Sequence, residues 1–221
     1  MIIKKVKNPK KSTSKSERIR RLILYVASPE KTDTSEKCIY FGARGFLTDI
    51  LDSQIAEMIA LATEAARSAD TVNHYVLSWK RGESPTTEQV DEAVTLLQKE
   101  MGLNLHQIVY GLHADTDNRH LHVVVNRVDP ETFRCTEINK GFDIEAGHRA
   151  IALIEHHQGW SREQNGLYQV DQDGKLVRCN SHRDETAPVK TDGKKVERRT
   201  VTLPRGMPSF LSKVCPTGDR Q

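Results

Sequence analysis

The chain has 221 residues, of which 37% are hydrophobic and 29% are charged, and its formal net charge is +3. That length allows one domain with a substantial core, and no apolar run is long enough to cross a membrane, so we expect a soluble cytoplasmic protein. The 4 cysteines are far apart and form no C-x-x-C pair, which predicts neither a disulfide framework nor a cysteine zinc site. The small net charge excludes little, but residues 1–21 are rich in Lys and Arg, which suits either contact with phosphates or a solvated terminus.

Predicted strands and helices alternate through the first half of the chain. Apolar residues at helical spacing mark each helix, and capping residues mark where it starts and stops. The first predicted elements are a strand over 1–7 and a helix that a capping box at Ser14 and Glu17 opens and Pro29 ends. A strand over Cys38–Phe41 with a turn at Gly42–Gly45 follows, and then a helix from Asp52 to Ala69. The last two are a strand over Asn73–Trp79 and a helix with a capping box at Thr86 and Gln89 that stops at Gly102.

The second half predicts two hairpins separated by a helix. Strands over Gln107–His113 and His120–Val128 form the first hairpin, a helix capped by Asp143 follows, and Asp173-Gly174 turns the second hairpin. Because strands and helices mix without a βαβ rhythm, the fold class is α+β, with a largely antiparallel central sheet flanked by helices. We expect a catalytic domain over residues 1–180 and a polar, basic tail over 181–221.

Histidines lie next to the turn of the first hairpin, at the end of its first strand and the start of its second. His120 and His122 are two residues apart and point to one face of their strand, while Leu121 points to the other. If the hairpin closes symmetrically, His113 lies across from His120 with Cβ atoms roughly 5 Å apart. In that register Gly111 lies opposite His122 and leaves room for an ion and a ligand. The imidazoles of His113, His120 and His122 are then predicted to converge on one point.

Neutral imidazoles with an open position are typical of a catalytic metal site, because a structural zinc site is closed by protein ligands. We predict that His113, His120 and His122 bind a divalent ion, Mn²⁺ or Mg²⁺, with Zn²⁺ as an alternative. Asp115 is close enough to accept an N–H from a ligand histidine or to hold a catalytic hydroxyl. His74 could line the site, although a structural role is the simpler interpretation. The alternative for the whole group is ordinary hairpin histidines.

Tyr25 is the candidate nucleophile. It lies off the apolar stripe of the first helix, so packing alone does not explain it. Arg21 and Arg18 share its face, where an arginine favours the phenolate and can hold a phosphate. A tyrosine that attacks a scissile phosphate forms a covalent phosphotyrosine. The alternative is an amphipathic packing residue near the helix end, and helical position alone does not decide between them.

These residues resemble those of a known family. His120-Leu121-His122 is similar to the HUH motif of HUH endonucleases. The longer pattern H-x-D-x-x-x-x-H-x-H-x-x-x-N, which ends at Asn126, resembles motif III of the MOBP class of conjugative relaxases. That family places its catalytic tyrosine on the first helix, as Tyr25 would be, and a serine near the DNA in its middle motif, as Ser78 would be. The resemblance covers residues 15–130.

The resemblance implies an enzyme that cuts one DNA strand at a plasmid or mobile-element transfer origin. It would stay attached to the 5′ phosphate through Tyr25 and later rejoin the strand, with Asp115 activating the tyrosine or orienting a ligand histidine. No second tyrosine lies beside Tyr25, so a single-tyrosine mechanism is implied. Such relaxases are usually longer, so this chain would be an N-terminal part. Implied partners are single-stranded transfer-origin DNA, relaxosome accessory proteins and the type IV coupling machinery.

Binding a single strand requires cations and stacking surfaces. Trp79 or Trp160 could stack on bases, although for each single residue an ordinary surface role is the simpler interpretation. The predicted DNA-binding residues are Arg18, Arg21, Ser78, Lys80, Asn126 and Arg127.

Two other functions remain open. A rolling-circle replication initiator is also an HUH enzyme, but its tyrosine usually follows the HUH strand, and no good tyrosine follows on the helix after Asp143. A non-catalytic DNA-binding module stabilised by a metal would need a fourth protein ligand.

Overall fold

A computed structural model describes residues 1–7, 14–28, 31–32, 35–138, 141–179, 189–191 and 194–196. Of these, residues 31–32, 35–36, 189–191 and 194–196 are described by their backbone alone. The predicted helix end at Pro29 and most of the tail lie outside these residues. The elements in chain order are β1 (Ile2–Val6), α1 (Lys15–Ala27), β2 (Lys31–Thr32), β3 (Ser35–Glu36), β4 (Cys38–Arg44), α2 (Leu51–Glu64), β5 (Val72–Ser78), α3 (Thr87–Met101), β6 (Ile108–His113), β7 (His120–Asn126), α4 (Phe142–Gln158), β8 (Tyr168–Val170), β9 (Leu176–Arg178), β10 (Val189–Thr191) and β11 (Lys194–Val196).

The chain divides into two units, Met1–Cys179 and Asn180–Gln221. In the second unit the described backbone forms an antiparallel pair, β10 with β11. The assignment of residues 1–180 to catalysis and of 181–221 to a tail stays a prediction. Among the described residues, no helix combines the length and apolar character needed to span a membrane.

A 5-stranded sheet in the order β1-β5-β7-β6-β4 organises the first unit. Each neighbouring pair is antiparallel, which confirms the predicted α+β class. Alternation along the strands gives the sheet two buried faces. Leu121, Val123 and Val125 pack with α3 and α4 on one face. Val124 packs with α1 and α2 on the other, the face to which His120 and His122 belong.

Capping decides where the helices begin and end. The capping box of Thr86 and Gln89 is complete, and Gly102 ends α3 in the left-handed conformation at φ 69°. At α1 the structure gives one half of the predicted capping box: Ser14 accepts from the Glu17 N–H at 3.1 Å, while the Glu17 carboxylate pairs with Arg21. The predicted end of α2 at Ala69 is wrong, because the helix stops at Glu64. There the Lys15 ammonium donates to the carbonyl of Ala62, in the last turn, and to that of Ala65, the C-cap residue.

Two further expectations are corrected by packing. Gly42 does not start a turn: it continues β4, and a Cβ there would lie 2.3 Å from the Tyr110 ring. The turn comes at Gly45, which has φ +76°. Asp143 does not cap α4, whose N-cap is Gly141. Instead its buried carboxylate accepts from the Tyr75 hydroxyl at 2.9 Å and from the Lys5 ammonium at 2.6 Å.

Candidate active site

The strand register places the histidines as predicted. His113 lies opposite His120, and Gly111 lies opposite His122 in the pairing of β6 with β7. On the other side of β7, Ser78 lies opposite His120. All of these positions lie on the sheet face that α1 covers. The pleat and the register therefore gather the polar side chains of three adjacent strands on one surface.

Gly111 lets helix α1 sit directly on this surface. A Cβ at Gly111 would lie 2.5 Å from the Val26 carbonyl oxygen and 3.0 Å from Val26 Cγ1. The expectation that this glycine leaves room for an ion is therefore wrong, because the backbone of Val26 fills the space. The close approach instead fixes the distance between the sheet and the last turn of α1, which carries Tyr25.

Tyr25 lies against two of the predicted ligands. Its ring centroid is 5.7 Å from that of His113 and 5.4 Å from that of His122, with the rings edge to face. The side chain is 44% exposed, so it contacts the histidines and remains open to solvent. The ammonium of Lys37 lies 3.7 Å from the Tyr25 ring centroid. Sequence reasoning missed Lys37, since only the pairing of β4 with β6 brings this segment to the site.

The electrostatic setting of Tyr25 differs from the prediction. The pKa of the phenol is raised, first by burial and then by the negative charge of Asp115. Arg21 does not offset this, because it pairs with Glu17 at 2.5 Å. Arg18 is also engaged elsewhere, donating to the Ala69 carbonyl at 2.8 Å. The phenol is therefore neutral near neutral pH, and the exposed carboxylate of Asp115 lies close enough to affect its pKa.

The imidazoles pack closely on one another. Ring centroids of His113 and His122 are 4.2 Å apart, and those of His74 and His122 are 5.2 Å apart. Burial lowers the pKa of His122 to about 3 and that of His74 to about 4, and it also lowers the pKa of His113. These histidines are therefore neutral, which is the form that binds a metal ion.

Each predicted ligand has one ring nitrogen held by a neighbour. Nε2 of His113 donates to the Val26 carbonyl oxygen at 2.9 Å. Nδ1 of His120 lies 2.7 Å from the Ser78 hydroxyl, and Nδ1 of His122 lies 3.0 Å from Nε2 of His74. Ser78, expected near DNA, thus contacts a histidine. His74, expected to be structural, belongs to the cluster.

The arrangement of the histidine side chains does not by itself define a metal site. Within the part of the chain that the structure describes, no group of three or more His, Cys, Asp or Glu side chains is arranged to hold a metal ion. The imidazole of His120 is engaged by the hydroxyl of Ser78. The metal and its ligands accordingly stay a prediction.

The expected DNA contacts at the end of β7 are corrected. Asn126 is fully buried and donates to the Gln107 side chain at 3.1 Å. Arg127 is 4% exposed and donates to the carbonyls of Thr136 and Asp70. Trp79 is 1% exposed and cannot stack on a base. These side chains hold the domain together and do not reach its surface.

Other basic residues lie nearer the surface. Lys80 donates to the Arg162 carbonyl at 2.8 Å. Arg81 is 80% exposed and pairs with Asp117 at 3.5 Å, in the turn between β6 and β7. Trp160 is partly buried against the core. Lys80 and Arg81 therefore provide positive charge at the end of the sheet that carries the histidines.

Comparisons with known proteins identify the family of this chain. The family model for the MobA/VirD2-like relaxase nuclease domain matches residues 25–160, more than half of the chain. Protein MobA of Acidithiobacillus ferrooxidans is 56% identical over 143 residues, covering 65% of this chain and 35% of that protein. Protein TraI of Escherichia coli is 29% identical over 166 residues, covering 75% of this chain and 22% of that protein.

This chain spans about a third or less of the length of these curated relatives. The matched segment begins at Tyr25 and contains the whole histidine cluster. The chain belongs to the MobA/VirD2-like relaxase family, and residues 25–160 are its nuclease domain.

Proposed function

We propose that this chain nicks and rejoins one strand of DNA at a plasmid or mobile-element transfer origin, with Tyr25 as the nucleophile. The observation that carries the proposal is the contact of the Tyr25 ring with His113 and His122, at centroid distances of 5.7 and 5.4 Å. Membership of the relaxase family favours this function over that of a replication initiator. The position of the tyrosine before the histidine strands supports the same choice.

The chemistry is a transesterification. The Tyr25 oxygen attacks the scissile phosphorus, the bond from phosphorus to the 3′ oxygen breaks, and the released 3′ oxygen takes up a proton. The product is a 5′-phosphotyrosine and a free 3′ hydroxyl, which can attack in reverse to rejoin the strand. Because the pKa of the phenol is raised, a base must accept its proton, and we assign that role to Asp115.

Lys37 supplies positive charge beside the nucleophile. Its ammonium lies over the Tyr25 ring at 3.7 Å from the centroid. A cation at this position can contact a phosphate brought to the tyrosine hydroxyl and offset the charge that develops during attack. This role replaces the one expected for Arg18 and Arg21, which pair with Asp70 and Glu17.

A divalent ion is proposed to bind at the histidine cluster. Nδ1 of His113 is buried and has no hydrogen-bond partner among the described residues, so a lone pair is available there. His113, His120 and His122 would hold the ion, with Mn²⁺ or Mg²⁺ as the expected metal and Zn²⁺ as the alternative. Imidazole ligands suit Zn²⁺ better than Mg²⁺, which prefers oxygen. Bound there, the ion would polarise the non-bridging oxygens of the scissile phosphate as a Lewis acid.

Single-stranded transfer-origin DNA is the proposed substrate. Lys37, Lys80, Arg81 and Arg119 provide cations at the histidine end of the sheet, and such cations bind a backbone without reading its sequence. We also propose that the protein acts in the cytoplasm with relaxosome accessory proteins and the type IV coupling machinery. These proposals rest on the family and on the charge of this surface.

A covalent-adduct assay tests the proposal. The chain is incubated with Mn²⁺ and a single-stranded oligonucleotide from the transfer region of its own element, and the adduct is resolved on a denaturing gel. Tyr25→Phe should form no adduct while retaining DNA binding. Tyr168→Phe serves as the matched control, because Tyr168 bonds to Glu145 away from the histidines, and it should form normal adduct. An adduct on Tyr25→Phe would show that another residue is the nucleophile.

A further inference from the structure

His74 is a fourth imidazole at the site, and the proposed reaction does not use it. It lies on β5, next to the histidine strand, and is 6% exposed. Its Nε2 is 3.0 Å from Nδ1 of His122, and the two rings are tilted by 32°. A contact this short between two neutral imidazoles is a hydrogen bond, in which one nitrogen donates and the other accepts.

The three proposed ligands show one common pattern. Each has one ring nitrogen engaged by a neighbour: the Val26 carbonyl for His113, the Ser78 hydroxyl for His120 and His74 for His122. The nitrogens left over are Nδ1 of His113 and Nε2 of His120 and of His122. A histidine that binds a metal usually donates its other N–H to a second group, which fixes the tautomer and the orientation of the ring.

The tautomer of His113 follows directly. A carbonyl oxygen can only accept, so Nε2 of His113 carries the proton and its Nδ1 is a bare acceptor. That Nδ1 is buried without a partner among the described residues, as expected of a nitrogen prepared for a ligand. For His122 the partner is an imidazole nitrogen, which can donate or accept, so the 3.0 Å contact admits two tautomers. The one with the proton on Nδ1 of His122 leaves Nε2 of His122 as a bare acceptor, as in the proposed metal ligand.

We infer that His74 is a positioning residue, which accepts a hydrogen bond from Nδ1 of His122 and so keeps Nε2 of His122 free to bind the metal. The inference rests on the proposed metal-assisted function. His74 would act as a neutral acceptor, whereas a carboxylate in this role would add a negative charge beside the phosphate. Its own proton is then on Nδ1.

Two variants separate positioning from other roles. His74→Leu removes the acceptor, while His74→Gln keeps one, because the amide oxygen of Gln reaches about as far as Nε2 of His. Mn²⁺ affinity of the 221-residue chain is measured by titration calorimetry. We expect His74→Leu to weaken Mn²⁺ binding by about ten- to a hundredfold and His74→Gln to recover most of the loss. His113→Ala, which removes a proposed ligand, should abolish binding.

A second readout does not need the metal. Nitrogen NMR of the metal-free chain reports which ring nitrogen of His122 carries the proton. The unaltered chain and His74→Gln should show His122 protonated on Nδ1, and His74→Leu should show a mixture of tautomers. Thermal unfolding of each variant establishes that it is folded.

The outcomes are distinguishable. Loss of Mn²⁺ binding in both His74 variants, as in His113→Ala, would mean that His74 is itself a ligand and would overturn the inference. Unchanged binding and an unchanged His122 tautomer in His74→Leu would also overturn it. If the unaltered chain binds no Mn²⁺, the proposed metal centre fails, while the NMR measurement still decides whether His74 sets the His122 tautomer.

Discussion

Replacing Gly111 with alanine should disable the site by moving helix α1. The added Cβ would lie 2.5 Å from the Val26 carbonyl oxygen, whereas ordinary contacts begin at 3.4 Å, so the helix end must shift by about 1 Å. The atom in the way is backbone and cannot rotate aside. Overpacking of this kind costs about 1–3 kcal/mol, which for a unit of this size lowers Tm by roughly 2–12 °C. A displacement of that size between reacting groups slows reaction by about a hundredfold.

Thermal unfolding and single-turnover adduct formation measure the two effects. Gly147→Ala is the matched control, because its Cβ would lie 2.7 Å from Ile3 Cδ1, the flexible end of a side chain, in a helix on the opposite face of the sheet. That variant should cleave at the normal rate. If Gly111→Ala cleaves as fast as the unaltered chain, the close approach at Gly111 does not position Tyr25, and our reasoning about α1 is wrong.

Two further predictions concern titrating groups. Asp115→Asn should lower the pKa of the Tyr25 phenol, because a neighbouring carboxylate disfavours the phenolate. Near-ultraviolet titration, with Tyr25→Phe as the reference that lacks this phenol and Asp117→Asn as the control, measures the pKa. An unchanged pKa in Asp115→Asn would contradict the placement of Asp115 beside Tyr25. In EDTA, the free energy of unfolding should fall as the pH drops from about 6.5 to about 4, since His74, with a folded pKa of about 4, stays neutral while the unfolded chain binds protons. Urea denaturation should show this loss, at most about 1.4 kcal/mol per pH unit from His74, and a smaller slope in His74→Gln; equal slopes would refute the assignment.

Local pattern was sufficient for most of the fold. The capping box at Thr86 and the stop at Gly102 depend on contacts within a few residues, and both are confirmed. The hairpin register that pairs His113 with His120 is also local, because a short turn and a two-residue alternation admit few alternatives. The end of α2 was missed, since the Lys15 ammonium that binds its carbonyls comes from a distant helix.

The candidate site also has one part that local pattern predicts and another that depends on long-range contacts. Alternation along β7 was enough to place His120 and His122 on one face. Tyr25 was proposed from its helix position and the family resemblance, and the structure places its ring against His113 and His122. Lys37 was missed, and His74 was given a structural role, because the order of strands in the sheet depends on contacts between residues far apart in sequence. Likewise, Asn126 and Arg127 look like surface residues in sequence, and only the packing of neighbouring segments shows that they are buried.

The sequence by itself determined which histidines share a face, because strand periodicity and hairpin register are properties of neighbouring residues. The tertiary structure alone decided what surrounds them. It packs Val26 on Gly111 and holds Tyr25 against the imidazoles. It also brings His74 into contact with His122, on the neighbouring strand and 48 residues away in sequence. Those contacts depend on how helices and strands pack, and no pattern confined to one element contains that information.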